Sequence, residues 1–180
     1  RALAGRALLV VDEAYVEFSG AASLTTELAG NPGLVVLRTL SKAYGLAGAR
    51  CGALLAHPEI IAMLQKVIQP YAVTQLSIEA VFRTLRPEPL AVATQRVACI
   101  VAERDTLARA LGEQRGTVRV WPSAANFLLV DFTDAAAVQA RAHAAGLLLR
   151  DLRSNAALPQ ALRISVGSPE QNQQLLASLS

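Results

Sequence analysis

The sequence predicts an α/β chain in two parts: a partial large domain with a mainly parallel sheet, followed by a small C-terminal α+β domain. Three observations predict it. Apolar runs at 7–11 (ALLVV) and 34–37 (LVVL) stop at polar residues, the pattern of strands buried on both faces of a parallel sheet. A central stretch then carries helical periodicity. Beyond Gly116, short strands alternate with short helices, the texture of an antiparallel α+β unit.

The elements follow in order. The strand at 7–11 leads into Asp12 and Glu13. The turn signal Asn31-Pro32-Gly33 precedes the strand at 34–37, and residues 51–56 form a third. Pro58 suits the first turn of a helix, Ile60, Leu64, Val67 and Ile68 share one of its faces, and Pro70 ends it. A second helix is predicted over 76–85, broken by Arg86-Pro87-Glu88-Pro89. A long helix over 90–111 carries a stripe of Ala93, Val97, Ile100, Val101, Leu107, Ala108 and Leu111. Strands are then expected at 118–120, 127–132, 147–150 and 162–166, and helices at 134–145 and 170–179. The domain boundary is placed within the long helix, near residue 100, giving domains 1–100 and 101–180.

Composition narrows the function classes. Apolar residues make up 53% of the 180 and charged residues 17%, which is a core-forming chain. The net charge of +3 is carried almost wholly by arginine, without a basic run or interleaved aromatics, so nucleic acid is not an expected partner. No apolar stretch reaches the roughly 20 residues of a membrane span. Cys51 and Cys99 lack metal-ligand or disulfide spacing, which argues against a metal site and for a reduced, cytoplasmic protein. The chain opens on Arg1 rather than Met and enters a strand almost at once, which suggests a piece of a longer protein.

The chemistry gathers around Lys42. A lone lysine is ordinarily a solvated surface residue. This one follows a strand and the hydroxyls of Thr39 and Ser41, with Gly45, Gly48 and Arg50 close behind. A Schiff-base lysine needs a carbonyl cofactor held nearby, and hydroxyls, a guanidinium and turn N–H groups suit a phosphate-bearing one. Asp12 closes a strand, where a carboxylate is either a loop former or the acid that holds a proton on a pyridinium nitrogen. Tyr15 is either a core aromatic or a donor to the same cofactor. Arg150 and Arg163, taken by themselves, are ordinary surface ion-pairing residues. Asn126 opens a strand. His57 and His143 show no catalytic spacing and are read as structural, and Trp121 as a packing anchor.

Taken together, Val10-Val11-Asp12-Glu13-Ala14-Tyr15, Thr39-Leu40-Ser41-Lys42 and Gly48-Ala49-Arg50-Cys51-Gly52 resemble the fold-type I pyridoxal-phosphate (PLP) aminotransferases. DEAYVEF, LRTLSKAYGLAGARCG, KVIQPY, ANFLLVDF, LLLRD and LRISVG, in that order, are similar to the histidinol-phosphate aminotransferase family across essentially the whole chain.

The resemblance implies transamination between histidinol phosphate and 2-oxoglutarate (or glutamate) in histidine biosynthesis, by a cytoplasmic homodimer. It implies PLP on Lys42, Asp12 at the ring nitrogen, Tyr15 at the ring oxygen, and Thr39, Ser41 and Arg50 at the cofactor phosphate. Arg163 would bind the anionic end of the substrate, Arg150 its phosphate, and Asn126 would lie near it. The family also has a larger N-terminal portion, with an aromatic that stacks on the ring, further phosphate donors and a tyrosine reaching a neighbouring subunit. None of these is matched here, so the isolated chain is expected to be inactive and to expose an apolar surface. Aromatic aminotransferases, threonine-phosphate decarboxylases and non-catalytic binding modules on the same fold stay open as alternatives.

Overall fold

The structure is a computed structural model, and it describes residues 5–179. The chain divides into two compact units, residues 1–95 and 96–180, and the division falls inside the long helix.

The first unit is built on a three-stranded sheet: β1 (Leu9–Asp12), β2 (Leu34–Thr39) and β3 (Gly52–Ala56), in the order β1-β2-β3. β1 and β2 run parallel, with Asp12 opposite Leu37; β2 and β3 run antiparallel, with Thr39 opposite Gly52. β2 is the centre of this unit, and Leu34, Val35 and Val36 are buried. Its entry is the expected Asn31 turn, closed by the Leu34 N–H on the Asn31 carbonyl at 2.9 Å. Between β1 and β2 lie a one-turn helix, α1 (Val16–Ser19), and a 3-10 segment (Leu24–Gly30), neither of which the periodicity indicated. Phe18 of α1 is buried.

β1 corrects the sequence reading. Its apolar run was expected to be buried on both faces, yet Leu9 is 42% and Val10 56% exposed. Among the described residues β1 is an edge strand hydrogen-bonded on one side only, and its bare apolar side chains belong to the exposed apolar surface that the resemblance implied.

After β3 come α2 (Pro58–Gln65), α3 (Gln75–Thr84) and α4 (Pro87–Glu113). Pro58 sits in the first turn of α2, with the His57 ring accepting from the Glu59 N–H. Thr74 caps α3 by accepting from the Ser77 N–H at 3.1 Å. α2 ends at Gln65, before the proline that was expected to stop it. Val67 and Ile68 lie beyond it, 76% and 58% exposed, with no core contact to reward a further turn. α4 starts at Pro87, inside the predicted break, because proline suits a first helical turn as well as it ends one.

The second unit is a four-stranded antiparallel sheet in the order β4-β5-β7-β6, from β4 (Thr117–Val120), β5 (Phe127–Phe132), β6 (Arg150–Asp151) and β7 (Ala161–Ser165). The helices α5 (Ala135–Ala144) and α6 (Pro169–Leu179) accompany it. Asp134 caps α5 by accepting from the Ala137 N–H at 2.9 Å. Strand alternation sends Leu128, Val130 and Phe132 of β5 and Leu162 and Ile164 of β7 into one core, with Leu107 and Leu111 of α4, Val138 and Ala142 of α5, and Leu175 and Leu179 of α6. Burial of each large aliphatic contributes about 1.5–3 kcal/mol. β6 is shorter than the expected strand at 147–150: Leu147 and Leu149 pack against the core instead of joining the ladder.

Candidate active site

In the first unit, the chemistry-bearing residues collect at one end of β1 and β2. Because these strands run parallel and in register, Asp12 and the Thr39–Lys42 segment leave the sheet at the same end. That is where ligands sit in open α/β sheets. Asp12 is exposed, and its Oδ1 accepts from the Ala14 N–H at 2.9 Å. This bond fixes the carboxylate on its loop. Among the described residues its second oxygen has no hydrogen-bond partner.

The Lys42 side chain is exposed, and its Nζ stands 5.7 Å from the centroid of the Tyr15 ring. No carboxylate of the described residues lies within 4.0 Å of that amine, so no ion pair competes for it. Upstream of Lys42, the Thr39 Oγ1 accepts from the Ser41 N–H at 3.2 Å, a local turn that orders the lysine's approach.

Arg50 has the left-handed backbone φ of 50°, rare for a side-chain-bearing residue, and donates from Nη1 to the Ala47 carbonyl at 3.0 Å. Its guanidinium is exposed and forms no salt bridge among the described residues. The structure therefore brings Asp12, Tyr15, Thr39, Ser41, Lys42 and Arg50 to one unit.

Arg150, Arg163 and Asn126 belong to the second unit. Arg163 pairs with Leu129 on one side and Arg150 on the other, on the sheet face opposite the core. Its guanidinium lies 5.1 Å from the Phe127 ring centroid, and its buried Nε has no hydrogen-bond partner among the described residues. Asn126 stands at the start of β5, where its carbonyl accepts from the Val166 N–H at 3.0 Å. Asp151 is committed elsewhere. Arg153 donates to both its oxygens, from Nε at 2.9 Å and Nη2 at 2.7 Å. Those side-chain bonds first, then the Arg153 N–H, hold the Asp151 carboxyl down to about 2. Neither Arg150 nor Arg163 is neutralised by it.

Sequence reasoning missed a polar cluster beside Lys42. Glu13, next to Asp12, is buried and accepts from the Ser23 Oγ and the Leu24 N–H, both at 2.7 Å. Arg38 donates from Nη2 to Glu17 at 2.6 Å. Burial pulls the Arg38 pKa down, but its bond to Glu17 and the surrounding negative charge outweigh that and hold it above the ordinary value. Burial pushes the Tyr44 phenol up, and Glu17 pushes it further, while Arg38 pulls back. The available signal was Glu13 and Glu17 spaced four apart, ahead of the single arginine that follows the apolar run at 34–37.

The family model for aminotransferase class I and II matches residues 2–179. The chain belongs to this family. Among its class I and II aminotransferase relatives, the histidinol-phosphate aminotransferase of Stenotrophomonas maltophilia (strain R551-3) is 50% identical over 99% of this chain and 49% of its own length. Of the solved structures, the histidinol-phosphate aminotransferase of Sinorhizobium meliloti in complex with pyridoxal-5'-phosphate superposes with a TM-score of 0.80 at 29% identity, covering 96% of this chain and 47% of that one. The L-threonine-O-3-phosphate decarboxylase of Porphyromonas gingivalis gives 0.84 at 26% identity, covering 96% and 54%. The chain spans about half the length of the curated relatives it matches. The fold is that of the PLP-dependent aminotransferases, with this chain forming part of it.

Proposed function

We propose that the whole protein carrying this chain is a histidinol-phosphate transaminase that holds PLP on Lys42 and exchanges an amino group between histidinol phosphate and 2-oxoglutarate. The observation that carries this reading is the 50% identity to a histidinol-phosphate aminotransferase along 99% of the chain.

The residues present fit the cofactor. An exposed amine without an ion pair, an anchored carboxylate with one free oxygen and, in the same unit, an exposed guanidinium and two hydroxyl residues suit the donor set it requires. When bound, PLP supplies an electron sink for the bonding pair left behind when the amino-bearing carbon of the substrate loses its proton.

Lys42 would hold the cofactor until the amino substrate displaces it. Its freed Nζ would then take the proton from the substrate's amino-bearing carbon. Asp12 would keep the proton on the ring nitrogen, and the Tyr15 hydroxyl would donate to the ring oxygen. Thr39, Ser41 and Arg50 would hold the phosphate. Arg163 and Arg150 would receive the anionic end of each substrate, a phosphate ester or a carboxylate, by guanidinium pairing. Asn126 would lie beside the substrate. The stacking aromatic, further phosphate donors and a neighbouring subunit's tyrosine would come from sequence outside this chain, in a homodimer.

A decarboxylase reading is favoured by the likeness to the threonine-phosphate decarboxylase structure. Both substrates carry a phosphate, so the two arginines do not separate them. Half-reactions do. With the whole protein, histidinol phosphate should bleach the cofactor's visible band at low concentration. Threonine phosphate should release no carbon dioxide, and phenylalanine should react far more slowly. Carbon dioxide release without the histidinol-phosphate half-reaction overturns the proposal.

A further inference from the structure

Arg38 joins four segments of the first unit. Its Nη2 donates to the Glu17 Oε1 of α1 at 2.6 Å. Its Nη1 reaches the Glu13 Oε2 at the end of β1 at 3.5 Å and the Ser23 Oγ ahead of the 3-10 segment at 3.3 Å. Ser23 in turn donates to that same Glu13 oxygen, so guanidinium, hydroxyl and carboxylate close a ring. All three charged side chains are largely sequestered, with Arg38, Glu13 and Glu17 at 26%, 6% and 16% exposed.

The placement of these residues gives the cluster its meaning. Glu13 follows Asp12 directly, and Glu17 stands two residues after Tyr15. Arg38 precedes Thr39 directly and stands four residues before Lys42. Each arm of the guanidinium thus ties the segment carrying Lys42 to a segment carrying a different cofactor-facing residue. Removing the fork would leave buried Glu13 with less compensation and let those segments move independently.

We infer that Arg38 is a positioning residue, which fixes Lys42 relative to Asp12 and Tyr15 by holding Glu13 and Glu17 on separate arms of its guanidinium. This rests on the reading of Lys42 as the cofactor lysine. An ammonium is a point donor and does not span two carboxylates in the fixed directions of a guanidinium fork, so lysine at this position keeps the charge and loses the bridge.

The test uses the whole protein and the variants Arg38→Lys and Arg38→Met. Three quantities are followed: the rate of cofactor loss by visible absorbance, kcat and KM separately, and the thermal midpoint. Both variants should lose cofactor faster and lower kcat by about tenfold or more, since small misplacements of reacting groups are amplified in rate. KM for the amino donor should stay within about twofold, because the substrate-binding arginines are untouched. A lowered thermal midpoint with unchanged kcat and cofactor retention overturns the inference, as does full rescue by lysine. Should Arg38→Met fail to fold, Glu17→Gln weakens one arm alone and is read in the same way. A wild-type protein that binds no cofactor at Lys42 defeats the underlying reading instead, and shows this before any variant is compared.

Discussion

Arg150 and Arg163 stand directly opposite each other across the β6–β7 ladder, two guanidinium side chains with no carboxylate partner among the described residues. Like charges in facing positions destabilise a sheet, while an anion shared between them relieves the repulsion. Arg163→Met should therefore leave the fold as stable as before or slightly more stable. It should lower kcat/KM for histidinol phosphate, mostly through KM, by a factor equivalent to roughly 1.5–3 kcal/mol of lost charge-assisted bonding. Thermal melts without substrate and steady-state kinetics on the whole protein check both halves. A large loss of stability with unchanged KM would make Arg163 structural.

Arg50 offers a similar separation of stability from function. Its left-handed backbone, φ 50° and ψ 42°, costs a side-chain-bearing residue about 1–2 kcal/mol relative to glycine. Strain of this kind persists where the side chain has work to do. Arg50→Gly should relieve it, leaving the cofactor-free protein at least as stable, while PLP affinity falls. Denaturant melts and a cofactor titration report the two effects independently.

Gly52 is set by close approach. It pairs with Thr39 across the β2–β3 ladder, and a Cβ at this position would lie 2.7 Å from the Arg38 carbonyl oxygen. The obstacle is backbone and cannot rotate away. Gly52→Ala should force the two strands apart just before Lys42, destabilise the protein by about 1–3 kcal/mol, and speed cofactor loss. Gly48→Ala meets nothing within 4 Å and serves as the control, with little effect on either measurement.

Some of this was legible in the sequence. Asp12 and Lys42 could be found because each follows an apolar strand, and the alternation of β5 and β7 separated Leu162 and Ile164 from Arg163. The facing of Arg163 with Arg150 could not be read, since register depends on how residues 150–163 fold back on themselves. The Arg38 cluster was hidden for the same reason: Glu13 lies 25 residues from Arg38, and a single arginine in a strand has the pattern of an ordinary edge residue. The early end of α2 escaped because periodicity at Val67 and Ile68 satisfies a helical pattern without stating whether anything packs there. Hydropathy marked β1 as a strand to be covered on both faces; within this chain Leu9 and Val10 stay bare, as part of the exposed apolar surface that the resemblance implied.

In the proposed reading Lys42 carries the cofactor. The direct measurement is borohydride reduction of the whole protein with PLP, followed by peptide mass mapping. A pyridoxyl label is expected on Lys42, lost in Lys42→Ala together with transamination. A label on Lys66 or on any lysine outside this chain, with Lys42 unmodified, would contradict it.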